Sequence, residues 1–526
     1  MILLGERSFL KAKAVSLQSF AENVLSLLKC NRRGVQMFSN DMAFFLEEPR
    51  LASYIPIMSF TNILSRPGVL VLSLFCLLVN LAFSKPSSRV GGAETQNWTN
   101  WRGPFYNGSS SDEGKGSKLP VKFSGEKGFK WKASLPGPSA ATPIIYNNYV
   151  FISSVQSLKN SSDKGQGNLL ALCYDREKGD LLWKRNAGSG YRPGGDGTDF
   201  QLDSKSNYAS PSAVTDGQRV IFFFGNGDLV SYTLEGKEQW RRNIQKDYGD
   251  FCFQWTFSSS PTLHDGRLYL PVLQRNEMVH GRGKPNSPSY LLCMDPATGK
   301  TIWQHTRPSE ANKESLESFG TIIPHDGQLL VAGGDVLTGH DPADGKEIWR
   351  WGTWNRNHKE AWWRLVPSPV VGSGVVLACA PKKAPVYAAK LGLRGTHSGD
   401  KGLVWDSSDS PTLTSDVPTP LYYREKFFIL SDLRKSLSRV DPLTGKIEWT
   451  ISMPGKYKWR SSPTAGDGKI YTMNHNAEVI VVSAKDGSVL HLAKMGGAYD
   501  DNTRSSVAIS SNQLFIRTNE NLYCIE

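Results

Sequence analysis

One ending recurs along the chain and leaves few folds open to it: Asp-x-x-x-Gly-x-x-x-Trp. Three copies are nearly identical, running from Asp295 to Trp303, from Asp341 to Trp349 and from Asp441 to Trp449, each with Pro after Asp and Lys after Gly. Looser copies are Asp175, Gly179 and Trp183; Gly236 and Trp240; Gly402 and Trp405, one residue short; and Gly487, with His491 where Trp is expected. Proline after Asp pre-sets φ for a turn, and Gly supplies the left-handed position that closes a hairpin with a bulge. A strand therefore leads in and another leads out. The Trp on the outgoing strand is a large apolar plate suited to the space between neighbouring sheets.

Each unit also holds an earlier strand pair, as in the stretch after Ser260, where Asp265-Gly266 turns between two apolar runs. Four short strands per unit follow. The units open at Pro143, Pro211, Pro261, Pro369, Pro420 and Pro463, with Ile322 and Val507 in two divergent copies. Eight openings stand against seven endings, at 183, 240, 303, 349, 405, 449 and 491, because the chain stops at Glu526 before the last unit can finish. The missing strand lies at the other end, where Trp131 follows Phe129 in the right register. The spacing from Trp131 to His491 averages roughly 51 residues per unit, within the range of propeller repeats. The fold expected is all-β: an eight-bladed β-propeller of four-stranded antiparallel blades, closed by an N-terminal strand that completes the last blade and removes the free edges. A stacked β-solenoid would have no use for a strand borrowed from the far end.

Residues Ser65 to Ser84 carry one positive charge, then an apolar run ending Ala82-Phe83-Ser84, the three parts of a secretory signal. Cleavage is expected after Ser84. The alternative is an uncleaved membrane anchor, for which the run falls short of the roughly 20 residues a span needs. The division expected is an extension of spurious or disordered character over 1–57, a signal peptide over 58–84 starting at Met58, an irregular segment over 85–128, and the propeller over 129–526. The body is thus expected to be periplasmic or secreted, without a span once the signal is removed, and monomeric. Cys173, Cys252, Cys293, Cys379 and Cys524 follow Ser84 with no adjacent pair, and three of them share one repeat position. Neither a disulfide framework nor a metal cluster is expected of them.

Composition excludes more than it selects. A net charge of +12 comes without a run of five Lys/Arg, so a nucleic-acid surface is not expected. No Gly-x-Ser-x-Gly, His-Glu-x-x-His or phosphate-loop pattern gives a hydrolase or nucleotide-binding reading a starting point.

The Asp-x-x-x-Gly-Lys-x-x-Trp ending, preceded by Leu-Leu-Ala-Leu or Tyr-Leu-Leu-Cys, resembles the repeat of the pyrroloquinoline-quinone (PQQ) type over residues 129–526. Upstream, Trp98-Thr-Asn-Trp-Arg-Gly-Pro104 is similar to a motif of exported bacterial proteins that carry this repeat. The resemblance implies two functional branches: quinoprotein dehydrogenases that oxidise alcohols or sugars with PQQ and calcium, and binding propellers such as the lipoprotein of outer-membrane β-barrel assembly. Fold does not choose between them. The dehydrogenase branch implies a carboxylate cluster for calcium and, in many members, a disulfide between adjacent cysteines, which this sequence lacks. The expectation is therefore a non-catalytic binding protein without a cofactor, PQQ with calcium being the alternative.

A ligand would sit where the segments between blades line one mouth of the central channel. These segments carry Tyr191 and Arg192, Tyr208, Trp255, Trp363 with Arg364, Trp459 with Arg460, Tyr499, and Arg504. Flat aromatics beside guanidinium groups suit recognition of carboxylate or phosphate; the bland alternative is that the rings pack between blades. The candidate cluster is Tyr208, Trp255, Trp363, Arg364, Trp459, Arg460 and Arg504, as a funnel for a peptide, a glycan, a small anionic ligand or an envelope protein. Asp199, Asp203, Asp247, Asp250, Asp416, Asp500 and Asp501 lie in nearby loops and read as solvated turns.

Overall fold

The computed structural model describes residues 96–526 apart from 111–117, 158–166, 190–205, 353, 498–499 and 501. The extension and signal segment lie outside the described residues, as do Tyr191, Arg192, Asp199, Asp203, Tyr499 and Asp501. Eight antiparallel sheets succeed one another along the chain, with little helix beyond Ile244–Tyr248. The first blade is typical: Ile144–Tyr146 lies innermost, followed by Tyr149–Ser157, Gly167–Asp175 and Leu181–Ser189. Innermost strands are short and buried because they face the packed axis, whereas outermost ones alternate in exposure, as in Thr301–Thr306.

The expected closure is present. Trp131–Ser134 pairs with Asn521–Ile525, Trp131 lying opposite Cys524, and completes the eighth sheet. Arg517 ties this blade to the first, its Nη1 and Nη2 donating to the carbonyls of Ser153 (2.6 Å) and Gly137 (2.8 Å).

The tryptophans explain why the glycine of the ending recurs. Trp131, Trp183, Trp240, Trp303 and Trp405 each reach the hairpin of the following blade. There they donate Nε1–H to the carbonyls of Arg176, Leu234, Pro296, Pro342 and Pro442, at 2.7 to 3.0 Å. Gly299 has φ 70°, and a Cβ there would stand 2.6 Å from the Trp240 ring. Glycine thus answers two demands at once, a left-handed backbone and a plate lying flat on it. Trp449 docks on Gly487 in the same way, but its Nε1 has no partner, because Arg439 takes the carbonyls of Ala484 and Lys485.

Two joints depart from the pattern. Trp349 does not reach the fifth blade; it is buried and donates to Gln328 Oε1 at 2.8 Å. The fifth blade replaces the short hairpin with a longer loop, whose strand Gly395–His397 runs parallel to Glu347–Gly352 and makes the fourth sheet five-stranded. Trp351 fills the joint instead, 5.2 Å from Tyr387 and bonded to the Gly399 carbonyl at 3.0 Å. At the seventh joint the next hairpin is missing, since the eighth blade is made from both ends of the chain. His491 there meets the Phe123 carbonyl at 2.8 Å and the Phe123 ring at 5.8 Å.

The openings also need one correction. Strands begin at Ile144, Val214, Thr262, Ile323, Val370, Leu421, Thr464 and Ala508, which makes Ala213, not Pro211, the second blade's equivalent of the opening proline.

Candidate functional site

Two residues before each innermost strand stands a hydroxyl: Thr142, Ser212, Ser260, Thr321, Ser368, Thr419, Ser462 and Ser506. Around the axis the backbone N–H of one donates to the hydroxyl oxygen of its equivalent in the next blade. The links run from Thr142 through Ser462 and close from Ser506 to Thr142, at 2.8 to 3.3 Å. These bonds satisfy backbone donors that have no strand beside them, which is why Ser and Thr open the units.

Approach to each strand is extended, so side chains alternate and every second residue faces the axis. Two residues above the hydroxyls the eight equivalents are Ala140, Ser210, Ser258, Phe319, Val366, Val417, Arg460 and Arg504, all lining one well of about 390 Å³. Above these, Thr256, Arg364 and Lys458 line its mouth. Repetition thus ends at the hydroxyls, and the blades differ above them.

The far end is closed by residues 96–110. Trp98 pairs with Ile145, Thr99 accepts from the Thr215 amide, Tyr106 donates to the Leu263 carbonyl, and Ser110 donates from its amide to Ala465. Arg102, 1% exposed, donates Nη2 to the carbonyls of Pro420 and Pro463, both at 2.9 Å. It thereby spans two blades from the axis, and burial lowers its pKa to about 9. Its Nε and Nη1 have no partner. Trp101 lines the well from this end, with the Arg102 guanidinium 5.6 Å from its ring centroid. The Trp-Arg-Gly-Pro motif is therefore a plug in the channel. Residues 119–125 instead follow the seventh blade, where Tyr471 donates to Pro120 and Gly125 to Lys494.

Around the well the acidic groups are committed. Arg364 grips Asp416 through both terminal nitrogens, at 3.0 and 3.3 Å, and Arg460 Nε meets Asp432 at 2.9 Å. Burial alone would raise the Asp416 carboxyl, but Arg364 beside it holds it below the usual range; for Asp432 burial prevails over Arg460 and the pKa rises. Glu317 is fully buried against Arg275, at 2.5 Å, and burial pushes it up to about 7. Among the described residues the well is lined by four cations, Arg364, Lys458, Arg460 and Arg504, and by no Asp or Glu. Their field reaches His475 on the turn beside them: burial, then Arg504, Arg460 and Lys458, depress its pKa to about 3.

Of the candidate residues, Trp255, Arg364, Arg460 and Arg504 meet at the well. Tyr208, Trp363 and Trp459 do not line it. Tyr208 is buried in the core under the first blades, and Trp363 packs against the core of the fourth and fifth. Trp459 is fully buried and donates to the Pro454 carbonyl at 2.9 Å. Alternation accounts for two of these: Arg364 and Arg460 are in register with the hydroxyls, so Trp363 and Trp459, one residue earlier, face the other way. The same register, counted back from Ser462 and Thr321, finds Lys458 and Phe319, which composition passed over. No local signal places Trp101.

A calcium ion with PQQ would need several free oxygen donors converging on one point. Glu317, Asp416 and Asp432, buried near this well, each hold an arginine, Glu314 accepts from Trp255 Nε1, and no group of three His, Cys, Asp or Glu among the described residues is arranged to hold a metal. These residues do not fit that ion. The five described cysteines are buried and unpaired.

Comparisons with known proteins fall on both implied branches. BamB of Moraxella catarrhalis superposes with a TM-score of 0.50 at 11% identity, over 75% of this chain and 98% of that one. A quinohemoprotein alcohol dehydrogenase of Pseudomonas putida gives 0.56 at 11%, over 82% and 80%. In sequence, a polyvinylalcohol dehydrogenase of a Pseudomonas species is 22% identical over 231 residues, 40% of this chain; the match spans about a third of that relative's length, 32%. The family described as outer membrane protein assembly factor BamB matches residues 124–279, 251–393 and 396–526. The chain belongs to that family of PQQ-type repeat β-propellers.

Proposed function

We propose that this protein is a non-catalytic binding propeller of the cell envelope that captures an anionic ligand in its plugged channel. The carrying observation is the lining itself: four cations and no carboxylate among the described residues, with Arg364 and Arg460 paired to Asp416 and Asp432 outside the lining, in a well of about 390 Å³. Cations held in a concave, partly desolvated site attract anions more strongly than the same charges on a flat surface. An acidic glycan, a peptide carboxylate or a small organic acid each supplies the complementary charge. The location outside the cytoplasm rests on the apolar segment before Ser84 and on the family's name.

The dehydrogenase reading has the sequence likeness to a polyvinylalcohol dehydrogenase in its favour. Titrating the purified protein with PQQ, with and without calcium, beside succinate and phosphate separates the two. The binding reading expects affinity for the simple anions that weakens as salt rises, and indifference to calcium. Calcium-dependent uptake of PQQ with alcohol oxidation would establish the other reading. Arginine substitutions need care, because Arg460→Ala alone would strand the buried Asp432 carboxylate; the pair Arg460→Met with Asp432→Asn removes both charges together.

A further inference from the structure

We propose that the ligand of this well is a ring-bearing carboxylate, seated with its ring on Trp101 and its carboxylate toward Lys458, Arg460 and Arg504. The inference rests on the anion reading above and adds what the plug and the asymmetry of the wall imply.

The well is polarised. Arg460 and Lys458 come from the approach to the seventh blade and Arg504 from that to the eighth, whereas Trp255 and Phe319 come from the third and fourth; Arg364, from the fifth, has its charge met by Asp416. A ligand that satisfies both halves carries charge on one side and flat apolar surface on the other. The floor repeats the demand. Trp101 is half-buried and lines the well, and Arg102, buried behind it, has no carboxylate partner among the described residues. An indole face ordinarily favours cations. A guanidinium 5.6 Å from the ring centroid offsets that negative face, so an electron-rich or anionic ring is accepted there. The hydroxyls of Ser260, Thr321, Thr419, Ser462 and Ser506 also line the well and can bond ring substituents. Its volume of about 390 Å³ is at the small end for organic ligands, which suits a single ring.

Two kinds of molecule share this chemistry, sugar acids and aromatic acids. Calorimetric titration of the full protein with galacturonate, isophthalate, succinate and galactose tells them apart. One or both cyclic acids should bind about tenfold more tightly than succinate, with galactose the weakest. Trp101→Leu should abolish that preference while leaving succinate within about twofold; Trp101→Phe should retain most of it, and the melting temperature of each variant reports whether it is folded. Succinate binding as tightly as both cyclic acids, or cyclic-acid affinity unchanged in Trp101→Leu, overturns the proposal and leaves the anion reading standing. Galactose binding as tightly as galacturonate overturns the carboxylate. Failure of every anion to bind removes the anion reading and this inference with it.

Discussion

The outer belt of tryptophans and the inner wall of the channel are built from the same eight repeats and have diverged by different amounts. In the belt, Trp131, Trp183, Trp240, Trp303 and Trp405 make one bond to one kind of carbonyl. On the wall, the eight equivalents above the hydroxyls run from Ala140 to Phe319 to Arg504. A belt position meets the same kind of neighbour at most joints, so one solution serves five of the eight. A wall position faces the axis, where a ligand need not share the eightfold symmetry. Repetition in this molecule marks structure, and divergence at equivalent positions marks the site.

The comparison is broken most forcefully at the belt. Trp303→Ala should cost about 3–5 kcal/mol of stability, seen by chemical denaturation, and leave anion affinity unchanged in the folded fraction. Trp349→Ala should cost at least as much although Trp349 bonds within its own blade, because its ring is fully buried whereas Trp303 is only partly so.

The plug comes next. Arg102→Ala removes the donor to Pro420 and Pro463 and should cost about 1–3 kcal/mol. Hydrogen exchange should rise across residues 96–110 before it rises in the blades.

Acid should act on buried histidines of both regions. Burial, then Arg307, lowers His340 to about 4, and His475 lies at about 3 beside the well. Both titrate near 6.5 once unfolded, so the unfolded chain binds protons that the folded one refuses. The histidines' contribution should be flat above pH 7 and fall as pH drops from about 6.5 towards 4, offset in part by Glu317, whose carboxyl, raised to about 7, takes its proton more readily folded than unfolded. His475→Gln should flatten part of that fall in a melting-temperature series. An anion in the well should do the same by countering the cations that depress His475.

The smallest change in stability separates the two regions most cleanly. Lys458 is exposed and has no ion pair among the described residues. Lys458→Ala should stay within about 0.5 kcal/mol of the parent and weaken anions about twofold to fivefold. A loss of stability without a loss of binding would place Lys458 with the belt.

Much of the belt was legible in sequence, because a Gly, a Trp and a Pro each answer a local demand of a turn or a joint. Trp131 as the closing strand followed from counting openings against endings. Trp349 failed because the ending preserved in its own blade says nothing of the altered hairpin it should meet in the next. The channel was legible only where strand alternation could be applied: it separates Arg460 from Trp459 and Arg364 from Trp363, whereas composition groups them. Trp101 lay beyond reach, since its place depends on Arg102 bonding to carbonyls more than 300 residues away, at 318 and 361 positions along the chain.

Anomalous diffraction from a crystal soaked in bromide tests the well as an anion site most directly, because it locates anions without a guess at the ligand. The strongest peak should lie in the channel among Lys458, Arg460 and Arg504. Bromide bound only at outer-surface lysines, with none in the well, would contradict it.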